Sequence, residues 1–436
     1  MWYEYLYRVL SIINYAILIV IAVPLLVQIC YVLFCFVKKK TFPKSEVKGR
    51  IAYLIPAHNE ASVIADTVKN VLEGQDYPRD KFDVFVVAHN CTDDTAALAR
   101  EAGAIVLVLD DPDPSHRLAL YPLRHGIDHI LSITDNPYDL VVHLDADNHI
   151  NAEFSSLMND AYQSGVDFAR PYEGAINATQ NFFTKACTMF YVFESRYGSR
   201  VRERLGLGAH VNGSGATMSV RMLKATGGYD SQTISDDAEY YFNRLLDGYK
   251  AHFVEDAVVS EDMPSSLSDT YKRNKRIGSG SVALLKPKLS KLMKKFFTTG
   301  DLSCLEVCMS YSFLFFTVLL CIWFPLYYIY HFVYLYFAAY GGLAVELYSQ
   351  AWYASSLWNT LIVGGSILIG LFVFFGYLQA LFLVITDYKK IGAKNRRELA
   401  GAVLWFPFFL IVYSITICIG TMSKPKWGSA KRNPTK

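Results

Sequence analysis

The chain has 436 residues, enough for two domains or for one domain with membrane anchors. Hydrophobic residues make up 52% of it and charged residues 19%, below the ~25% charged of an ordinary soluble domain. The net charge of +2 carries no nucleic-acid signature, and the charges concentrate between Lys38 and Asp301, so the ends read as membrane and the middle as soluble.

No residue from Val9 to Val37 is charged; as a helix this stretch is ~43 Å long against a ~30 Å hydrocarbon core, which suits one tilted span. It lacks a small-residue cleavage site, so residues 1–37 read as an anchor. Three more apolar segments, Cys308–Tyr334, Leu357–Thr386 and Leu399–Thr421, follow the soluble middle. Tyr327, Tyr328, Tyr330, Tyr334, Tyr336 and Tyr340 crowd the end of the first of these, as at a headgroup boundary. "KKKTFPKSEVKGR" and "DYKKIGAKNRREL" follow the first and third spans, whereas Gly341–Ser356 has no Lys or Arg. This asymmetry puts the soluble region in the cytoplasm of a multi-pass cell-membrane protein. The eight cysteines show no metal-site or disulfide spacing and read as packing residues.

From Arg50 short apolar runs alternate with helical patterns. "RIAYLIPAH", "DVFVVAH", "AIVLVLD" and "DLVVHLDAD" read as strands; "ASVIADTVKNVL", "DDTAALAREAG" and "LALYPLRHGIDHIL" read as the helices between them. The alternation predicts an α/β domain with a parallel sheet, and ligands bind such sheets beyond the carboxyl ends of the strands. That edge collects His58, Asn59 and Glu60, then His89 and Asn90, then Asp110 and Asp111, then Asp145 and Asp147. Two carboxylates two positions apart on an extended chain share a face, and ~4 Å apart they repel by ~4 kcal/mol at an effective dielectric near 20. A divalent cation relieves that repulsion, and hard carboxylate oxygens suit Mg²⁺ or Mn²⁺. Thr92 or Asp93 suits a cap for the helix that follows.

The segments "PAHNE", "AHNCTDDT", "DADN", "NGSG", "ISDDAEY" and "RNKRIGSG" occur in this order between Ile51 and Gly280. In this the chain resembles the membrane-bound, processive-type enzymes of glycosyltransferase family 2, such as hyaluronan, chitin-oligosaccharide, cellulose and poly-N-acetylglucosamine synthases. The resemblance implies a cytoplasmic GT-A domain with a Rossmann-like mixed sheet (38–283) flanked by transmembrane helices. An amphipathic interface segment (284–307), membrane helices (308–422) and a basic tail (423–436) follow. It implies inverting transfer of a sugar from a UDP-sugar to a growing cell-envelope polysaccharide. The alternatives are transfer of one sugar to a membrane lipid, and a degenerate homologue that only binds nucleotide.

By the same resemblance Asp145 and Asp147 hold the metal, and Asp237, with Asp236 beside it, is the general base. Pro56, Asn59, Glu60, His89, Asp145 and Arg276 bind the nucleotide sugar; Gly213, Ser214, Gly215 and Ile277 meet the acceptor. Three positions depart from the pattern. His89 stands where an Asp accepts a hydrogen bond from uracil, and His116 or Arg117 stands in place of a Lys. Gln-x-x-Arg-Trp becomes Arg273-Asn274-Lys275-Arg276-Ile277, which removes an aromatic face for an acceptor sugar. "LLKPKLSKLMKKFF" reads as lying along the membrane face, and "KPKWGSAKR" as a gating loop or a headgroup-bound tail. Because Leu399–Thr421 contains Pro407 and follows a basic loop, it is expected to lie in the interface or re-enter, leaving Trp427 cytoplasmic and near the catalytic opening.

Overall fold

The computed structural model describes residues 2–340 and 358–423, apart from 359–361, 368 and 371. The basic tail with Trp427, and the Gly341–Ser356 loop, lie outside the described residues.

A long apolar helix, α1 (Trp2–Leu33), precedes the α/β region. Four expected strands then form, β1 (Ile51–Ala57), β2 (Phe82–His89), β3 (Ile105–Leu109) and β4 (Leu140–His143). They are joined by α2 (Ile64–Gly74), α3 (Thr95–Glu101) and α4 (Leu120–Ser132). β1 lies parallel to β2 and β4, with Ile51 opposite both Phe82 and Leu140, and β2 lies parallel to β3.

Beyond β4 the chain builds β5 (His149–Ile150), α5 (Phe154–Gln163), β6 (Phe168–Ala175), α6 (Phe182–Phe193), α7 (Arg200–Arg204), β7 (Thr217–Ser219), α8 (Val220–Thr226), α9 (Asp236–Asp247) and β8 (His252–Glu261). These strands complete an eight-stranded sheet of order β3-β2-β1-β4-β7-β6-β8-β5. β7 runs antiparallel to β4 and β6, and β5 antiparallel to β8, so the sheet is mixed.

Alternation along the strands divides the core. Ala52, Leu54, Phe85, Val87 and Val141 face Leu123 and Ile127 of α4 and Tyr240 to Phe242 of α9; Ile51, Tyr53, Val84, Val86 and Val142 face Ile64 and Val68 of α2 and Phe154 and Met158 of α5. Both faces are covered, as a sheet of parallel strands requires.

The last part is helical: α10 (Leu267–Thr299), α11 (Leu302–Tyr340), α12 (Gln379–Asp387) and α13 (Ala400–Thr421). α10 runs through the expected 283/284 boundary without a break. Leu284, Leu285 and Leu292 are buried in the core shared with α9, so the segment's apolar side covers the α/β region itself. α10 and α13 cross backbone to backbone: a Cβ on Gly278 would sit 2.2 Å from the Ile417 carbonyl oxygen, and one on Gly420 would sit 2.6 Å from that of Lys275. Asn274 Nδ2 donates to Thr416 Oγ1 at 2.8 Å across the same contact. Among the described residues two helical stretches, Arg8–Leu33 and Arg396–Thr421, are long and apolar enough to cross a membrane.

Candidate active site

A cavity of about 860 Å³ opens at the carboxyl ends of β1, β2 and β4, and α9 and α10 form its opposite wall. It is lined by Pro56, Glu60, His89, Asp145, Asp147, Gly213, Asp236, Asp237, Arg276 and Ile277, ten of the residues expected from sequence. Asn59, Ser214 and Gly215 stand behind that lining.

Asp145 leaves β4 into a tight turn. Its backbone N–H donates to Asn148 Oδ1 at 2.8 Å, and its carbonyl accepts from the Asn148 N–H at 3.1 Å. Ser214 Oγ donates to Asp145 Oδ2 at 2.8 Å, so Ser214 orients a carboxylate rather than facing open cavity. His143 lies beneath, its Nε2 3.7 Å from Asp145 Oδ1 and without a hydrogen-bond partner among the described residues. Burial pushes the His143 pKa down, outweighing the pull of Asp145 and Asp237 in the other direction. The downward shift favours the neutral ring beside Asp145.

Asp236 and Asp237 occupy the first turn of α9, where the helix dipole favours negative charge. Burial pushes both carboxyls up, Asp236 to about 7 with the charge of Asp237 as the second cause. Their surroundings separate them. Tyr229 Oη donates to Asp236 Oδ2 at 2.8 Å, whereas Asp237 accepts from the Ala238 N–H at 2.8 Å and lies against Gly213. A Cβ at Gly213 would be 3.4 Å from Asp237 Oδ2. Ser235, just before the helix, makes no capping bond with its hydroxyl. Glu239 instead accepts the N–H groups of Gln232 and Thr233 at 2.8 and 2.7 Å, a structural task.

Asn59, with φ of 57°, accepts the Thr92 N–H at 2.8 Å and ties the loop after β1 to the loop after β2. The Glu60 N–H donates to Thr95 Oγ1 at 2.8 Å in the same stitch. The cap position of α3 falls on Asp94, which makes no side-chain capping bond, while Asp93 one residue earlier accepts the Thr95 N–H at 3.1 Å. His116 pairs with Asp111 at 2.7 Å and stacks on Tyr121, so Arg117 is the member of that pair that lines the cavity.

Sequence reasoning missed Glu261, Arg273 as its partner, and the support of the glycine loop. Glu261 ends β8 at the cavity, and burial pushes its pKa up against the opposing pull of Arg273, 3.1 Å away. Asn212 Nδ2 donates to Glu173 Oε2 at 3.1 Å; Arg170 holds Glu173 at 3.0 Å and Glu194 at 2.7 Å. Arg202 joins Glu194 at 3.2 Å to Glu306 at 2.7 Å, and Glu306 accepts from His210 at 2.9 Å. The loop carrying Gly213 thus rests on a buried charge network that reaches the first turns of α11. An arginine and a glutamate three apart inside the apolar strand pattern "FARPYEGA" were the available signal.

Among the described residues no group of three or more His, Cys, Asp and Glu forms a metal cage. Two adjacent carboxylates nevertheless fit Mg²⁺ or Mn²⁺, because such ions take one or two protein carboxylates and complete their shell with substrate phosphates and water.

A sequence profile for glycosyl transferase family group 2 matches residues 140–423, more than half of the chain. The chain belongs to this family. Relatives include the beta-monoglucosyldiacylglycerol synthase of Nostoc sp. (strain PCC 7120), 24% identical over 249 residues that cover 55% of this chain and 51% of that protein. A second such synthase, from Synechocystis sp., is 23% identical over 238 residues, 52% of this chain and 47% of that one. The chain spans about half the length of these relatives. The mannosyltransferase PcManGT from Pyrobaculum calidifontis, solved with GDP-Man and Mn²⁺, superposes with a TM-score of 0.52 at 17% identity, covering 95% of this chain and 99% of that one. This last likeness is one of fold: the α/β region is GT-A-like.

Proposed function

We propose that the protein is an inverting glycosyltransferase that moves a sugar from a nucleotide sugar to an acceptor presented at a membrane. The observation carrying this reading is the convergence of Asp145, Asp147 and Asp237 on one cavity beside Gly213. The sugar nucleotide's diphosphate lies at Asp145 and Asp147, with the Arg276 guanidinium facing it from α10. Asp237 accepts the proton of the acceptor hydroxyl while its oxygen attacks the anomeric carbon. The bond to the nucleoside diphosphate breaks on the opposite face, and the configuration inverts. A divalent ion at the two aspartates supplies charge neutralisation for the departing diphosphate.

Single-sugar transfer to a membrane lipid is the acceptor reading we favour. The cyanobacterial relatives are named for a lipid product, and Ile277 offers no stacking face for a sugar chain. Polysaccharide extension, with a UDP-sugar donor, is the second reading, supported by the ordered motif series. In both, residues 38–283 form the cytoplasmic domain, and α1, α11 and the helices after it anchor it. Purified protein in lipid nanodiscs, given Mn²⁺ and a panel of radiolabelled nucleotide sugars, decides between them. A labelled glycolipid supports the first reading and a labelled polymer the second; free nucleotide without either product, or full activity in excess chelator, contradicts the mechanism.

A further inference from the structure

The nucleoside end of the cavity has a hydrogen-bond polarity that residue type alone does not reveal. Asp237, Gly213 and Asp145 occupy the β4 side, so a nucleotide with its diphosphate at Asp145 extends its base across β1 toward β2, about 10 Å away at ordinary strand spacing. His89 ends β2 there and lines the cavity together with Asn90. The Asn90 amide is fixed at both ends. The Asp111 backbone N–H donates to it at 2.7 Å, so the atom that receives this bond is the oxygen. The amide nitrogen then meets His89 Nε2 at 3.2 Å. An amide NH₂ only donates, so Nε2 is the acceptor and the proton of the neutral ring sits on Nδ1. Burial, then the proximity of His58, push the His89 pKa down and keep the ring neutral. Nδ1 has no hydrogen-bond partner among the described residues.

We propose that Asn90 sets the tautomer of His89, that His89 thereby presents an N–H donor to the nucleobase, and that this pair selects the base of the donor nucleotide. A carboxylate at the same place presents acceptors only, so the base edge that fits is the opposite one. The inference rests on the reading of the cavity as a nucleotide-sugar site. Asn90 acts as a positioning residue, through His89.

Uracil and cytosine have the same size and differ at two positions, where N3–H and O4 are exchanged for N3 and an amino group. At each position donor and acceptor swap, so a single ring N–H distinguishes the two bases by about tenfold whichever position it meets. Asn90→Asp keeps an oxygen for the Asp111 N–H and sets a second oxygen against Nε2. The ring proton then moves to Nε2, and Nδ1 becomes an acceptor. The test is calorimetric titration of the full-length protein with UDP and with CDP, in Mn²⁺ at pH 8.5. We expect about a tenfold preference for one pyrimidine in the wild type, the opposite preference in Asn90→Asp, and none in His89→Ala. His89→Asp, which carries acceptors at the same place, should reverse the preference too and serves if Asn90→Asp does not fold. Equal affinities in the wild type, or an unchanged preference in the two aspartate variants, overturn the proposal. If UDP, CDP, GDP and ADP all fail to bind the wild type, the nucleotide-sugar reading itself falls, and this inference with it.

Discussion

Replacing Gly215 with alanine strikes the glycine loop beside the cavity-lining Gly213 without touching a charged group. Its φ is +73°, the left-handed region, where an L side chain costs ~1–2 kcal/mol. The new Cβ would also sit 2.4 Å from Pro171 Cγ, 3.1 Å from Pro171 Cδ and 3.3 Å from Val259 Cβ. Neither neighbour yields easily, since the proline ring is rigid and both residues lie in paired strands, β6 and β8. Overpacking of this kind adds ~1–3 kcal/mol, for a total of ~2–5 kcal/mol against a whole-domain stability of ~5–15 kcal/mol. Gly213→Ala is the internal control. Its φ of +92° incurs the same backbone penalty, but its Cβ meets nothing closer than Asp237 Oδ2 at 3.4 Å, so only ~1–2 kcal/mol is lost. Chemical denaturation of both variants in detergent, with transfer rates normalised to folded protein, separates the effects. Gly215→Ala should lose more stability, and Gly213→Ala more turnover per folded molecule because it crowds the base. Equal stability losses, or a Gly215→Ala variant as stable as wild type, would refute the reasoning.

Asp237→Asn should keep nucleotide affinity while transfer falls by ~10²–10⁴, measured as initial rates at saturating donor; retained turnover would move the base elsewhere. Asp147→Asn should lose most Mn²⁺-dependent nucleotide binding with an unchanged melting temperature, because it stands at a polar strand end; a calorimetric titration with and without chelator checks this. Burial raises the Asp236–Asp237 pair, Asp236 to about 7, so transfer should decline with falling pH through a midpoint above the ordinary carboxylate range. In the same window the folded state binds more protons than the unfolded chain, so stability should fall as pH rises from ~4 toward 7, and Asp236→Asn should flatten that slope in pH-dependent denaturation. Glu306→Gln leaves the buried Arg202 with Glu194 as its one remaining carboxylate and should lower stability in urea denaturation by less than the ~3–5 kcal/mol of a fully unpaired buried charge.

The strands β1 to β4 and the helices between them were legible because each buries a periodic apolar face, and the polar residues at their ends fell where parallel sheets bind ligands. β7 was not, because three residues, Thr217 to Ser219, are too few to show a period. The pairing of β6 with β8 was equally hidden, since sequence carries no register for strands so far apart. At the site, residue type brought Asp145, Asp147 and Asp237 to one cavity, but it could not show which side chains are held by hydrogen bonds. Asn59 and Ser214 were expected to touch substrate, and they serve as braces for a loop and a carboxylate. Arg273 was read by its place in a motif, yet it is bound to Glu261. Such assignments depend on a partner from another part of the chain, which no local pattern specifies.

At Gly278 and Gly420 the backbones of α10 and α13 meet with no room for a Cβ between them. α13 is apolar enough to sit in a bilayer, and Arg276 and Ile277 follow directly after the point where Lys275 bears on it. Helices adjust their tilt to match the hydrocarbon thickness around them. On the proposed function, a change in the tilt of α13 would reach α10 at the residues next to Arg276. On that reading lipid chain length would be a variable of turnover, and the membrane a mechanical input to the chemistry.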